Sequence, residues 1–392
     1  MKQLRILSLS TLYPHANAPN FGVFVERQMQ AVAACGDVDL VMLNPIGLPP
    51  FPLSLHPRYS ALRSLPKVEH RGGVTVLRPR FMLLPGIGGR FNAAAEARAV
   101  LPLARRLHAE APFDLVDAQF FYPDGPAAIA VAKALNLPSS IKARGADIHL
   151  WGSAPGTAKQ VLRAAQDATG LLAVSGGLAE DIADLGVARG KITIHRTGLD
   201  RGVFYPRDKD QSRNALGLPH GVPVLACVGA LIPRKGQRYA IETMPLLPEA
   251  ILVLAGSGPD EAGLRQLASS LGVIDRVRFL GAVPHGDLPL VLSAADVFVL
   301  PTASEGLANA WVEALACGTP VVTTPIAGAQ ELLTDPAWGA FAVQDKLAIA
   351  IEVSKILENP PTRAKVQEGA AGFSWEATAA ALVDYWRRLA GK

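Results

Sequence analysis

Short runs of Val, Ile and Leu recur along the chain, separated by Ala-rich stretches whose apolar positions repeat with a helical period. A continuous apolar run without polar alternation marks a strand buried on both faces, and such strands alternating with helices predict parallel sheets with crossover helices. In the first half the predicted strands are Leu4–Ser10, Val38–Leu43, Val74–Arg78, Leu115–Ala118, Ser140–Ala143, Gly170–Val174 and Lys191–His195. The helical period predicts Phe24–Cys35, Ala93–Glu110, Pro126–Leu135 and Thr157–Ala168 between them. The second half repeats the pattern, with strands at Val224–Val228, Ile251–Ala255, Val277–Leu280, Val297–Leu300 and Pro320–Thr323. Its helices are expected at Gln237–Met244, Asp260–Leu271, His285–Ala294 and Leu307–Ala316. Two doubly wound α/β halves follow, each with its ligand-binding edge at the carboxyl ends of its strands.

The seam is expected at Gly198–Pro206, where Gly and Pro punctuate the chain after the last strand of the first half. That gives one domain over 1–200 and a second over 201–371, with a cleft between them as the expected ligand site. The stretch 372–392 contains an amphipathic pattern from Trp375 to Leu389 and is expected as a terminal helix packing back on the first domain.

Composition narrows the class. The 392 residues suit two domains, and 49% hydrophobic against 18% charged residues excludes intrinsic disorder. No apolar run reaches the roughly 18–20 residues of a membrane span. The start, Met1 to Ser10, lacks the apolar length and cleavage site of a secretory signal and reads as a first strand. Cys35, Cys227 and Cys317 are odd in number and far apart, which excludes a disulfide framework and a Cys-based zinc site. The expectation is a soluble protein of the cytoplasm.

The net charge of +4 conceals an asymmetry: residues 1–200 hold 21 Lys+Arg against 15 Asp+Glu, residues 201–392 hold 17 against 19. Most of the excess lies in Arg58, Arg63, Lys67, Arg71, Arg78, Arg80 and Arg90, opposed only by Glu69 and interleaved with Leu62, Leu65, Phe81–Leu84 and Ile87. Two readings stay open: a basic, apolar segment that meets anionic head groups at a membrane surface, or an irregular solvated loop region. Nucleic acid is a poor fit, because aromatic stacking residues make up only 6%.

The strongest chemical signal runs from Leu300 to Val322. A strand leads into a short polar loop, a helix is expected to open at Gly306 or Leu307, and Gly318 with Pro320 stops it. The first helical amides lack intrahelical partners and suit a phosphate or diphosphate. Glu305 stands at the helix entrance. Glu313 lies two turns inside, where a buried acid needs donors such as a ribose diol. Equally, Glu305 could be a partner of the helix dipole and Glu313 a solvated helix glutamate. After strand Val224–Val228, Arg234 and Lys235 close a loop; they fit a diphosphate leaving group or a solvated turn. Gly256-Ser257-Gly258-Pro259 lets backbone approach a ligand or a neighbouring element, but the third glycine of the dinucleotide fingerprint falls on Glu261. Gly22 opens the first helix.

In their order these pieces resemble the retaining glycosyltransferases of family four, which have the GT-B fold of two Rossmann-like domains. The likeness rests on Glu305-x7-Glu313, Lys235-Gly236, Gly256–Pro259, Val277–Gly281 and Asp296–Pro301, and covers nearly the whole chain. It implies a hexosyltransferase that takes a nucleotide diphosphate sugar as donor and needs no metal or other cofactor. Glu305 would lie against the donor sugar, Glu313 on the ribose, and the backbone at Val283 against the base. Lys235 and the amides of Gly306, Leu307, Ala308 and Asn309 would contact the diphosphate, and Gly22 would sit where acceptor and diphosphate meet.

Three departures stand out. An Arg expected in Gly-Arg-Leu is Ala230, with Arg234 as its candidate replacement. The first-domain His-Gly-x-Asp reads Arg144-Gly145-Ala146-Asp147, so a guanidinium that can grip phosphate or hydroxyl stands where an imidazole is usual. His149 is a second candidate for the imidazole's place or a solvated histidine, and Asp147 a candidate to orient donor or acceptor. Finally, Thr197-Gly198-Leu199-Asp200 replaces Asn-Gly-Val-Asp. The stretch Asn20–Gln28 resembles a branch that builds teichuronic acid, capsule or exopolysaccharide, which implies a saccharide or polyprenyl-diphosphate-linked acceptor at the inner face of the cytoplasmic membrane. A nicotinamide-dependent oxidoreductase lacks its fingerprint here. A non-catalytic nucleotide-sugar-binding protein remains the alternative.

Overall fold

The computed structural model describes residues 3–84 and 89–392. Met1 and Lys2, at the head of the predicted first strand, and Ile87 of the basic segment lie outside the described residues. The chain forms two units, one of Met1–Gly198 with Trp375–Lys392 and one of Leu199–Ser374.

The first unit is built on an eight-stranded sheet in the spatial order Ile192–Ile194, Gly170–Ala173, Ser139–Ala143, Leu115–Ala118, Leu4–Leu9, Val38–Leu43, Val74–Leu77, Val68–Arg71. Every neighbouring pair is parallel except the last. The seven apolar runs are the parallel strands, because a strand covered on both faces has no solvent side to make polar. The edge strand Val68-Glu69-His70-Arg71 escapes such a reading: it is charged, and a hairpin at Gly72-Gly73 brings it back along Val74–Leu77. The described part of the basic segment is therefore not irregular. It carries a helix at Pro57–Arg63, this hairpin, and Arg80–Met82 paired in parallel with Ile46–Leu48.

The terminal helix Trp375–Ala390 belongs to this unit. Leu382, Val383, Tyr385 and Trp386 pack in one cluster with Leu4, Ile6, Val25 and Met29. Burial of such apolar side chains contributes on the order of 2 kcal/mol each.

The second unit holds a six-stranded, all-parallel sheet in the order Val277–Gly281, Ile251–Ala255, Val224–Val228, Val297–Leu300, Val321–Thr323, Gly339–Phe341. The strand order reverses between Val224–Val228 and Val297–Leu300. Loops leaving two adjacent strands there diverge, which opens a crevice at their carboxyl ends. Those loops are Gly229–Gly236 and Pro301–Ala308. In the first unit the reversal falls between Leu4–Leu9 and Leu115–Ala118, so the loops after Leu9 and Ala118 flank its crevice.

Candidate active site

In the second unit, Val224–Val228 runs into a loop whose end is a tight turn at Pro233–Lys235. Gly236 leaves it at φ +74°, and a Cβ there would lie 2.1 Å from the Pro301 carbonyl oxygen. Only glycine lets this turn press against the neighbouring strand's end. The two loops are then tied together: the Arg234 carbonyl accepts from Ala303 N at 2.8 Å and Thr302 Oγ1 at 3.0 Å. That brings three charges together. Glu305 Oε1 accepts from Lys235 Nζ at 2.6 Å and from Arg234 Nη1 at 2.7 Å, and Arg234 Nη1 also donates to the Ser304 carbonyl. All three side chains are partly covered, which strengthens the pairing relative to open water. Arg234, offered as replacement for the missing Arg at 230, thus sits beside Lys235.

The helix carrying Glu313 starts later than its sequence suggests, at Asn309, with Ala308 extended at φ −73°, ψ 119°. Gly306 and Leu307 lie outside the helix and pack closely on Gly328, where a Cβ would meet the Gly306 carbonyl oxygen at 1.9 Å. The amides of Gly306, Leu307 and Ala308 therefore precede the helix, and Asn309 and Ala310 supply its opening amides.

Glu313 is buried, on the inner face of that helix. Its Oε1 accepts from His285 Nε2 at 2.9 Å, and the His285 ring meets Phe204 edge-on with centroids 4.9 Å apart. His285 opens the turn His285–Asp287, two residues beyond Val283. Gly256 and Gly258 serve a neighbouring element: Cβ atoms there would meet the Gly229 and Leu231 carbonyl oxygens at 1.9 and 2.2 Å.

In the first unit, Gly22 caps helix Val23–Ala34 at φ +71°, and a Cβ would strike the Leu12 carbonyl carbon at 2.5 Å. Glycine is thus required for the loop after Leu9 to fold back on itself. Arg144 follows strand Ser139–Ala143 and is anchored along one edge. Its Nε donates to the Gln119 carbonyl at 2.8 Å and its Nη2 to Gln119 Oε1 at 2.7 Å, while its face covers Phe24 at 4.7 Å. Among the described residues nothing bonds to Nη1. Burial lowers its pKa to about 10, so it stays cationic at neutral pH. Asp147 is fully buried, and its carboxyl accepts from the amides of Phe121, Arg144 and Gly145. It braces the Arg144 loop. His149 Nε2 lies 2.8 Å from Asp181 Oδ2.

Behind Arg144 runs a buried polar chain. Gln119 Oε1 also accepts from Gln28 Nε2 at 2.7 Å; Gln28 Oε1 accepts from Lys142 Nζ at 2.7 Å; Lys142 Nζ lies 2.6 Å from His195 Nδ1. His195 Nε2 reaches the Thr378 carbonyl of the terminal helix at 2.9 Å. A carbonyl only accepts, so Nε2 carries the proton and Nδ1 accepts from Lys142. Burial and the neighbouring Lys142 push the His195 pKa down to about 2, so it stays neutral. Gln119 Nε2 donates to Asp117 Oδ2 at 2.6 Å, and the Asp117 carboxyl also takes Ser8, Ser140 and Trp386. Nearby, the buried Glu96 and Asp124 interact with each other; burial pushes Asp124 up to about 7 and raises Glu96 as well.

Among the described residues no three His, Cys, Asp or Glu side chains are grouped to hold a metal ion, and no helix is long and apolar enough to cross a membrane.

Residues 208–373 match the family described as Glycosyl transferases group 1, and residues 48–202 match Glycosyltransferase Family 4. A putative teichuronic acid biosynthesis glycosyltransferase, TuaC, of Bacillus subtilis is 30% identical over 336 residues, 84% of this chain and 83% of its own. A GDP-mannose-dependent monoacylated alpha-(1-6)-phosphatidylinositol monomannoside mannosyltransferase of Corynebacterium glutamicum is 39% identical over 193 residues, 44% of this chain and 49% of its own. In fold, sucrose-phosphate synthase from Thermosynechococcus elongatus superposes with a TM-score of 0.82 at 23% identity over 99% of both chains. Anabaena Alr3699/HepE, solved in complex with UDP and glucose, gives 0.72 at 19% identity over 98% of this chain and 99% of its own.

Proposed function

The chain belongs to the family 4 glycosyltransferases, hexosyltransferases of GT-B fold that transfer sugar in polysaccharide or glycolipid synthesis, and from that premise we propose a retaining transfer from a nucleotide diphosphate sugar. The acceptor in this reading is a saccharide or a polyprenyl-diphosphate-linked saccharide of a cell-surface polymer. One observation carries it: the Glu305 carboxylate holding both Lys235 and Arg234, beside the Gly306–Ala308 segment that precedes the helix. When the bond between the anomeric carbon and the diphosphate breaks, negative charge grows on the leaving oxygen. In this reading Lys235 and Arg234 stabilise that charge. The arriving diphosphate takes over the cations and frees Glu305 to face the sugar, while Glu313 meets the ribose and the Val283 backbone meets the base. In the first unit the open edge of Arg144 grips a phosphate or hydroxyl of the acceptor, and Gly22 keeps the loop beside it clear.

Hydrolysis assays with UDP-glucose, GDP-mannose and ADP-glucose test this. One donor should be cleaved slowly without acceptor, and Glu305→Ala should abolish both cleavage and transfer. Tight binding of a donor that is never turned over, with any acceptor, would favour the non-catalytic alternative.

A membrane surface as partner, on the inner face of the cytoplasmic membrane, is part of the same proposal, but its support has moved. Arg71, Arg78 and Arg80 serve the fold: Arg78 is buried against Glu69, Asn44 and Pro14, Arg71 pairs with Glu26 and Glu69, and Arg80 donates to the Leu65 carbonyl. What faces outward is an apolar stretch just before the segment, Phe51 (79% exposed), Leu53 and Leu55, followed by the exposed Arg63 and Lys67. Apolar tips with cations behind them suit an anionic lipid surface. Flotation with phosphatidylglycerol vesicles should be lost in Phe51→Ser with Leu53→Ser; unchanged flotation, or none by the wild type, removes this part.

A further inference from the structure

His285 was not singled out by its sequence, and nothing in the transfer reading requires it. Its geometry is nonetheless specific. The ring approaches Glu313 with one nitrogen, Nε2, at 2.9 Å from Oε1, and Phe204 fixes the ring plane edge-on at 4.9 Å. Phe204 is buried at 1% exposure, so the aromatic partner is rigid. Among the described residues no partner bonds to Glu313 Oε2. A glutamate has three rotatable bonds, and without a tether its carboxylate would sample several positions; ordering it on binding costs free energy. The Phe204–His285 pair removes that freedom in advance. An N–H on one oxygen also fixes which oxygen is left to accept from a ligand.

We propose that His285 is the positioning residue of the ribose site: it holds Glu313 by one oxygen and presents the other to the ribose hydroxyls, so that the site discriminates ribonucleotides from deoxyribonucleotides. This rests on Glu313 being the ribose acid of the preceding reading. A bidentate diol needs a carboxylate in one fixed plane, whereas a single remaining hydroxyl tolerates a wandering one. Loss of His285 therefore weakens the ribonucleotide most and the deoxyribonucleotide least.

Calorimetry with UDP, GDP and ADP selects the tightest ribonucleoside diphosphate, and its 2′-deoxy and 3′-deoxy forms are then titrated. The wild type should prefer the ribo form by about tenfold or more, the worth of one charge-assisted hydrogen bond. In His285→Ala the ribo affinity should fall about tenfold while the deoxy affinities move less than about threefold, so the preference collapses. His285→Gln, which keeps an N–H donor, should restore part of it. An equal fall for ribo and deoxy forms would make the role merely structural and overturn the proposal. A rise in ribo affinity would do the same, since His285 would then compete with ribose for Glu313. Glu313→Gln separates the two levels of inference: if it too leaves the ribo preference intact, the ribose assignment of Glu313 falls and the His285 proposal with it. If the preference collapses in Glu313→Gln but survives in His285→Ala, only the His285 proposal is lost. Circular dichroism melts of each variant confirm that a folded protein was titrated.

Discussion

The two units use charge in opposite ways. In the second, Glu305, Lys235 and Arg234 stand in loops beside a strand-order reversal, partly open and held by few bonds, and the buried Glu313 is held by His285. In the first, Asp117, Lys142, His195 and Asp147 lie inside the unit, and their side-chain polar atoms bond to other side chains or to the backbone. A buried carboxylate with all its lone pairs taken cannot also take a substrate proton. A half-open ion pair can exchange its partner for a ligand at little cost. Similar residue types thus build a scaffold in one sheet and a candidate site in the other, and the bonds already made tell the two apart.

The contrast predicts that variants of the two kinds fail differently. Largest is Glu305→Gln: transfer should fall about 10³-fold, roughly 4 kcal/mol of transition-state stabilisation, with the melting temperature unchanged within about 2 °C. The same variant frees two cations, so calorimetry should show free nucleoside diphosphate binding more tightly. Transfer within tenfold of wild type would take Glu305 out of the chemistry. Next, Asp117→Ala strips the acceptor from Ser8, Ser140, Gln119 and Trp386. It should cost about 3 kcal/mol and lower the melting temperature by about 10 °C, leaving nucleotide affinity alone. A stable Asp117→Ala protein with weakened nucleotide binding would erase the distinction between the units.

Smallest is a pH effect at Glu96 and Asp124. Burial raises both carboxyls, Asp124 to about 7; the Asp124 charge raises Glu96 further, and the Asp147 charge raises Asp124. The folded state therefore binds more protons than the unfolded one. The stability this confers is complete below the ordinary carboxylate range and is lost as pH rises through about 7. Glu96→Gln keeps one partner neutral at every pH, so it should raise the melting temperature by about 3 °C at pH 8 and have no such effect at pH 5. Equal shifts at both pH values would show that the pair does not titrate with folding.

The parallel strands were legible because burial on both faces leaves an unbroken apolar run, and Val38–Leu43, Leu115–Ala118, Val224–Val228 and Val297–Leu300 fall on the predicted residues. Glu305 and Glu313 stood out as candidates from the Glu-x7-Glu spacing. The start of the helix carrying Glu313 was not legible, because Gly306 and Leu307 pack on Gly328 ahead of it, a contact that local sequence does not announce. His285 is paired across 28 residues and carries no local signal. The buried network did leave a trace: Asp117 and Lys142 are charged residues inside apolar runs, a pattern that calls for a partner across the sheet. Arg71, Arg78 and Arg80 show the converse, since a run of positive charge in sequence says nothing of which guanidinium groups the fold will absorb.

The terminal helix has a consequence for how the protein is made. Trp386 and Tyr385 complete a core whose other half begins at Leu4, and the whole second unit is inserted between Gly198 and Trp375. At synthesis rates of 5–20 residues per second, the first unit waits roughly ten to thirty-five seconds for its last helix after its own strands have left the ribosome. A chain halted at Ser374 therefore carries a finished second unit and an open first one, so of the two units the one translated earlier is the later to close.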